Sequence, residues 1–157
     1  MAMLLEELPR WLRDRGLAGD DGLPFACAGV SMGAFGSLLY ARRRVERHEP
    51  LAAVAAIAPA LITSWRVMRT RNVFSSRQAW AAVDPLRHPE SVRDVRLGVW
   101  CGTEDPFIAG ARKFIKLTDP EVAYLAPGGH DGTFITAVAA DVVRFLGAIA
   151  PEAEGRT

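Results

Sequence analysis

Three short stretches of the chain carry side chains whose types could do chemistry together. The first, Gly29-Val30-Ser31-Met32-Gly33, frames a serine between two glycines, after an apolar run and before a helical pattern. Such a turn is a candidate nucleophile elbow, in which a strained strand-to-helix bend raises the hydroxyl and larger residues two positions away would meet neighbouring backbone. The helix starting there would aim its free N–H groups at the site, and that of Met32 could stabilise an oxyanion. Taken alone the pentapeptide is a weak signal, since a serine in a tight turn is as well explained by its small size.

The second stretch is Cys101-Gly102-Thr103-Glu104-Asp105-Pro106-Phe107. Asp105 suits a carboxylate that holds a histidine in one tautomer and offsets the charge the ring gains; Glu104 suits that role less well. By itself an acidic residue before proline is equally a turn former. The third, Ala126-Pro127-Gly128-Gly129-His130-Asp131-Gly132, carries one histidine on a glycine-rich loop. A general base that must reach a serine from another strand end needs such a loop. Asp131 reads as the cap of the helix that follows, and His48 and His88, beside Glu49-Pro50 and Pro89, read as surface histidines.

These residues need elements to position them. Phe25 to Val30, Leu51 to Ala58 and Val95 to Cys101 are apolar runs closed by a turn signal, as expected of strands covered on both faces, and Glu121 to Leu125 reads as a fourth strand. Between them, Ala34, Leu38, Ala41 and Val45 give a helix its buried stripe, with Arg42, Arg43, Glu46 and Arg47 outside it. Ala109 to Leu117 reads as a short helix. Phe134, Val138, Val142, Phe145 and Ile149 give a strong terminal helix, stopped by Pro151. At the start, Leu4, Leu5, Leu8, Trp11 and Leu12 recur at helical spacing, with Pro9 predicting a kink or a helix that properly begins near it. Gly16 to Pro24 reads as a loop. Strands alternating with helices predict a three-layer α/β/α domain on a mainly parallel sheet of about four strands.

Thr63 to Arg93 is the longest stretch without a clear element, and long ordered loops in compact domains are often lids. It holds Trp65, Trp80 and the arginines Arg66, Arg69, Arg71 and Arg77, which favour an anionic substrate if the segment covers a site; as solvated side chains they need no such explanation.

The 157 residues suit one domain. A net charge of +1 with 24% charged residues does not suit a nucleic-acid partner. Neither a signal peptide nor an apolar run of about 20 residues is present, which predicts no membrane span and a cytoplasmic protein. Cys27 and Cys101, each inside an apolar run, read as reduced, buried thiols. No histidine or cysteine pair has zinc spacing and no phosphate-binding loop occurs, so neither metal nor cofactor is expected.

Serine, aspartate and histidine follow one another in the chain at three separate predicted strand ends, where parallel sheets bind ligands. With Gly29-Val30-Ser31-Met32-Gly33-Ala34, Cys101-Gly102-Thr103-Glu104-Asp105-Pro106-Phe107 and Gly128-Gly129-His130-Asp131, the chain resembles the α/β-hydrolase superfamily. Within it the likeness is to the esterase group of S-formylglutathione hydrolase, esterase D and the mycolyltransferases. The resemblance implies Ser31 as nucleophile, His130 as base and acid, Asp105 as orienting carboxylate and the Met32 N–H as one oxyanion donor. It covers only the second half of the family's domain. Members carry further strands before the elbow, and the loop after one of them supplies the second oxyanion donor.

The expectation is a partial α/β-hydrolase domain over residues 1–157, with 63–93 as lid or cap. Its expected substrate is a small carboxylic ester or thioester, cleaved through an acyl-serine. In the family's strand order the elbow strand lies mid-sheet, so here residues 25–30 are expected as an exposed edge that pairs with another copy or a partner chain. A late start or a broken gene would also explain the short N-terminal side. Two alternatives stay open: a non-catalytic interaction module completed by a partner, and an acyltransferase sharing the acyl-enzyme.

Overall fold

The computed structural model describes residues 1–17 and 21–148. Its centre is a four-stranded, all-parallel sheet in the order β1 (Ala26–Val30), β2 (Ala53–Ile57), β3 (Arg96–Gly102) and β4 (Val122–Ala126). Register runs Gly29↔Ala56 from β1 to β2, Ala56↔Val99 from β2 to β3, and Val99↔Ala123 from β3 to β4. Parallel neighbours require a crossover between consecutive strands, and the helical patterns of the chain supply them.

Alternate side chains of the two central strands feed two cores, as a pleated sheet demands. Val54, Ala56, Leu97 and Val99 meet α2 (Met32–Glu46) and Phe114 of α5 (Ile108–Thr118) on one face. Ala53, Ala55, Ile57 and Trp100 meet Phe134, Val138, Val142 and Phe145 of α6 (Gly132–Gly147) on the other. The result is the expected three-layer α/β/α arrangement. Ile149 and Pro151, expected to end the last helix, lie outside the described residues, as do positions 18–20 of the expected loop.

Every residue of β2 is buried, whereas β1 and β4 are only partly covered, with Val30 37% and Tyr124 42% exposed. The local reading of residues 25–30 as a strand covered on both faces is therefore corrected, whereas the exposed edge expected from the family's strand order is found: the run sits at the edge of the described sheet. A second correction concerns α2, where Val45 is exposed and Arg44 takes the inward position at 3% exposure. Arg44 donates to the carbonyls of Glu49 and Pro24 and to the Tyr40 hydroxyl, tying both chain segments that flank β1 and α2 to the helix. A buried guanidinium is tolerable because these acceptors replace its water.

The N-terminal pattern resolves into a wide π-helical stretch, Met3–Glu7, followed by α1 (Leu8–Asp14) with Pro9 in its first turn. The Leu8 N–H still reaches back to the Met3 carbonyl, and Pro9, which has no N–H to continue that ladder, stands where the wide turn gives way to the α-helix. Residues 63–93 hold only short pieces: α3 (Trp65–Met68), α4 (Arg77–Ala81) and single 3₁₀ turns. No helix among the described residues is long and apolar enough to cross a membrane.

Candidate active site

The site is assembled at the carboxyl ends of the strands. Ser31 stands between β1 and α2 with φ 57° and ψ −117°, a conformation that non-glycine residues rarely adopt. The surroundings hold it there: its N–H extends the sheet ladder to the Ile57 carbonyl, and its own carbonyl accepts from Ala60 and Phe35. The turn is so tight that a Cβ on Gly29 would lie 2.2 Å from the Gly33 carbonyl oxygen. The same expectation for Gly33 is corrected, since a Cβ there would meet nothing within 4 Å, and neither would one on Gly36 a turn further on. Glycine is sterically demanded on the strand side of the serine alone.

Asp105 follows β3 and is 1% exposed. Its Oδ1 accepts from the Phe107 N–H at 2.7 Å, which leaves Oδ2 for His130 Nδ1 at 2.6 Å. His130 follows β4, and its Nε2 lies 2.8 Å from Ser31 Oγ. With the carboxylate accepting from Nδ1–H, Nε2 carries the lone pair and the serine hydroxyl donates to it. The structure thus brings together the serine, histidine and aspartate singled out in the sequence, although β1 and β4 are the outer strands of the described sheet. The N–H of Met32, in the first turn of α2, has no intrahelical acceptor.

Two contributions were not legible in the sequence. Glu104 fastens the loop after β3 to the loop after β4. Its N–H donates to the Gly128 carbonyl and its Oε2 accepts from the Gly128 N–H at 2.9 Å. Beside this clamp, Thr103 N–H donates to the Ala126 carbonyl, and the approach is close enough that a Cβ on Gly102 would lie 2.0 Å from the Gly128 oxygen. The only signal was adjacency to Asp105, which says nothing about a partner 24 residues away. The second is Phe107, whose ring packs edge-on against His130 with centroids 5.1 Å apart. Asp131 caps α6 through the N–H groups of Thr133 and Phe134, as expected.

Both cysteines are free thiols. Burial pushes Cys101 up to about 12, reinforced by the neighbouring Asp105 charge, and burial pushes Cys27 up to about 11. Neither is a nucleophile at neutral pH.

A parallel sheet between helices, with a carboxylate, an imidazole and a hydroxyl aligned at its carboxyl end, is the architecture of the α/β-hydrolase fold. The chain belongs to the esterase family: the family model described as "Esterase: Putative esterase" matches residues 2–120, a span that contains Ser31 and Asp105 and stops short of His130. Among solved structures it is similar to a ferulic acid esterase, at 18% identity and TM-score 0.68, over 94% of this chain and 60% of that one. Carboxyl esterase 2 of the mycorrhizal fungus Tuber melanosporum matches at 15% identity and TM-score 0.64, over 90% and 60% of the respective chains. S-formylglutathione hydrolase FrmB of Staphylococcus aureus matches at 17% identity and TM-score 0.54, over 77% and 50%. At these identities the likeness concerns the fold, and the chain spans about three fifths of the length of the first of these structures. No curated protein matches the chain by sequence.

Proposed function

We propose that the chain is the catalytic part of a serine hydrolase that cleaves a small carboxylic ester or thioester through an acyl-Ser31 intermediate. The observation that carries this reading is the double engagement of one imidazole, Nδ1 by Asp105 and Nε2 by Ser31. His130 Nε2 takes the hydroxyl proton as Ser31 Oγ attacks the acyl carbonyl, and the Met32 N–H faces the negative oxygen that forms. The intermediate collapses, its bond to the leaving oxygen or sulfur breaks, and that atom takes the proton from Nε2. Water then gives a proton to the same nitrogen, attacks the acyl carbon and releases the acid, and Ser31 recovers its proton. An acceptor other than water would make the same acyl-enzyme a transferase. In this proposal residues 1–157 form one partial hydrolase domain and 63–93 its cap, since Met68, Arg71 and Val73 line the cleft that holds Ser31 and His130.

Covalent labelling by a fluorophosphonate probe tests the nucleophile directly. Labelling of the wild-type protein and none of Ser31→Ala is the expected result, together with hydrolysis of 4-nitrophenyl acetate that Ser31→Ala abolishes; unlabelled wild-type protein of native fold sinks the reading. A second reading is favoured by the edge position of β1, whose outer backbone groups have no strand partner among the described residues. In it the chain is an association module, and another copy or a partner chain adds a strand there. Native mass spectrometry of the unlabelled protein decides between a monomer and such an assembly.

A further inference from the structure

The cleft holding Ser31 and His130 measures about 390 Å³ and is largely apolar, walled by Met32, Ile62, Met68 and Val73. Arg71 and His130 are the ionisable side chains among its lining residues. Arg71 ends the 3₁₀ turn Arg69–Arg71, where Asn72 reverses the chain in the left-handed conformation at φ 53°. Its guanidinium lies over the Phe107 ring, 5.8 Å from the centroid, and that ring packs against His130. Guanidinium over phenyl, and phenyl edge-on to imidazole, therefore form one row of contacts beside the serine.

The other arginines of the segment are arranged differently. Arg66 and Arg77 line a separate cleft of about 640 Å³ together with Arg87 and Lys113. Some surface arginines elsewhere have carboxylate partners, as Arg42 and Arg43 have Glu46 and Arg96 has Glu121, and others, such as Arg66, Arg69 and Arg77, show none among the described residues. Among the described residues Arg71 likewise has none. Arg71 is solvent-exposed at the mouth of the apolar cleft, lines an adjoining cavity with Pro106 and Phe107 as well, and has the Phe107 ring beneath its cation.

We propose that Arg71 is a specificity-determining residue that selects esters bearing a carboxylate on the leaving-group side. The side follows from this row of contacts: His130 delivers its proton to the leaving atom, and Phe107 touches both that imidazole and the guanidinium. A leaving group emerging past His130 passes along Phe107 and meets Arg71, whose planar fork suits a carboxylate. The inference deepens the hydrolase reading and rests on it for turnover, but the recognition step can be measured without turnover.

The probes are 4-acetoxybenzoate and its neutral counterpart, methyl 4-acetoxybenzoate. Their affinities for Ser31→Ala are compared by calorimetry with those for the double variant Ser31→Ala, Arg71→Gln. The expected result is a preference for the anion that falls about tenfold when Arg71 is replaced, survives in large part with Arg71→Lys, and weakens in 0.5 M NaCl. The same ratio is then read in kcat/KM on the wild-type background, where the two leaving groups' intrinsic reactivities cancel between enzyme variants. Equal loss for both esters, an unchanged ratio, or no preference for the anion at the outset overturns the inference. Turnover of both esters with no Arg71-dependent ratio leaves the hydrolase reading standing and removes this one. Arg71-dependent binding without turnover does the reverse.

Discussion

The two halves of the site are held by different means. Asp105 and His130 stand on loops after β3 and β4 that are sewn together, Thr103 to Ala126 and Glu104 to Gly128 twice, with Asp105 further fixed within its own loop by the Phe107 N–H. Ser31 stands on β1, at the edge of the described sheet, and its hydroxyl is aimed by a strained backbone turn rather than by a side-chain clamp. The acid–base pair is thus positioned by hydrogen bonds between loops, and the proposed nucleophile by steric compulsion within one turn. Hydrogen bonds can be removed singly with graded effect, whereas a tight turn fails abruptly.

The largest expected effect comes from the sewn half. Asp105→Asn keeps the size of the side chain but offers an amide where the imidazole needs a carboxylate, and kcat for 4-nitrophenyl acetate is expected to fall about 10⁴-fold with the thermal midpoint little changed. A loss below tenfold would show that the aspartate does not set the tautomer.

The turn is broken next. Gly29→Ala puts a methyl group against the Gly33 carbonyl and is expected to cost about 1–3 kcal/mol in urea unfolding, with activity lost because Ser31 moves. Gly36→Ala, in α2 beyond the turn, is the contrast. Its added methyl meets nothing within 4 Å, so better helix propensity should stabilise the protein by up to about 1 kcal/mol. Equal effects at both positions would erase the distinction between strand side and helix side.

Glu104 tests the clamp. Glu104→Ala is expected to lower kcat about tenfold through a looser His130 loop, and Glu104→Gln to restore most of it, because the amide oxygen still accepts from the Gly128 N–H. A kcat equal to wild type in the alanine variant would reduce Glu104 to a surface residue.

The smallest effect concerns the thiols, one in each half. Both have folded pKa values raised above the roughly 8.5 of an unfolded cysteine. Above that pH the unfolded chain releases protons that the folded chain keeps. Stability is therefore full below about pH 8.5 and declines as pH rises toward 11–12, by at most about 1.4 kcal/mol per pH unit for each thiol. Urea unfolding under reducing conditions at pH 8, 9 and 10 should show the decline, and Cys101→Ala should flatten it.

Much of this was legible in the chain itself. Apolar runs at Leu51 to Ala58 and Val95 to Cys101 located the central strands because both their faces are buried, and the Phe134, Val138, Val142 and Phe145 stripe located α6 because one face of that helix meets the sheet. The edge position of β1 was expected from the family resemblance and not from its own residues. Its composition, Ala-Cys-Ala-Gly-Val, is as apolar as a central strand's, so hydropathy alone could not report its partial exposure. Val45 was misjudged for a related reason: periodicity marks a face, but the Arg44 guanidinium with its three acceptors took the inward position beside it.

Residue types and chain order were enough to nominate Ser31, Asp105 and His130, because each kind of side chain has a narrow chemical repertoire and strand ends follow from local patterns. Distances are another matter. That Nε2 of His130 reaches Ser31 Oγ across 99 positions of sequence, that Glu104 grips Gly128, and that Arg71 alone of its neighbouring arginines enters the cleft all depend on how four strands and their loops pack. Local sequence carries no term for such long-range contacts, since they come into being only when separate elements share one sheet.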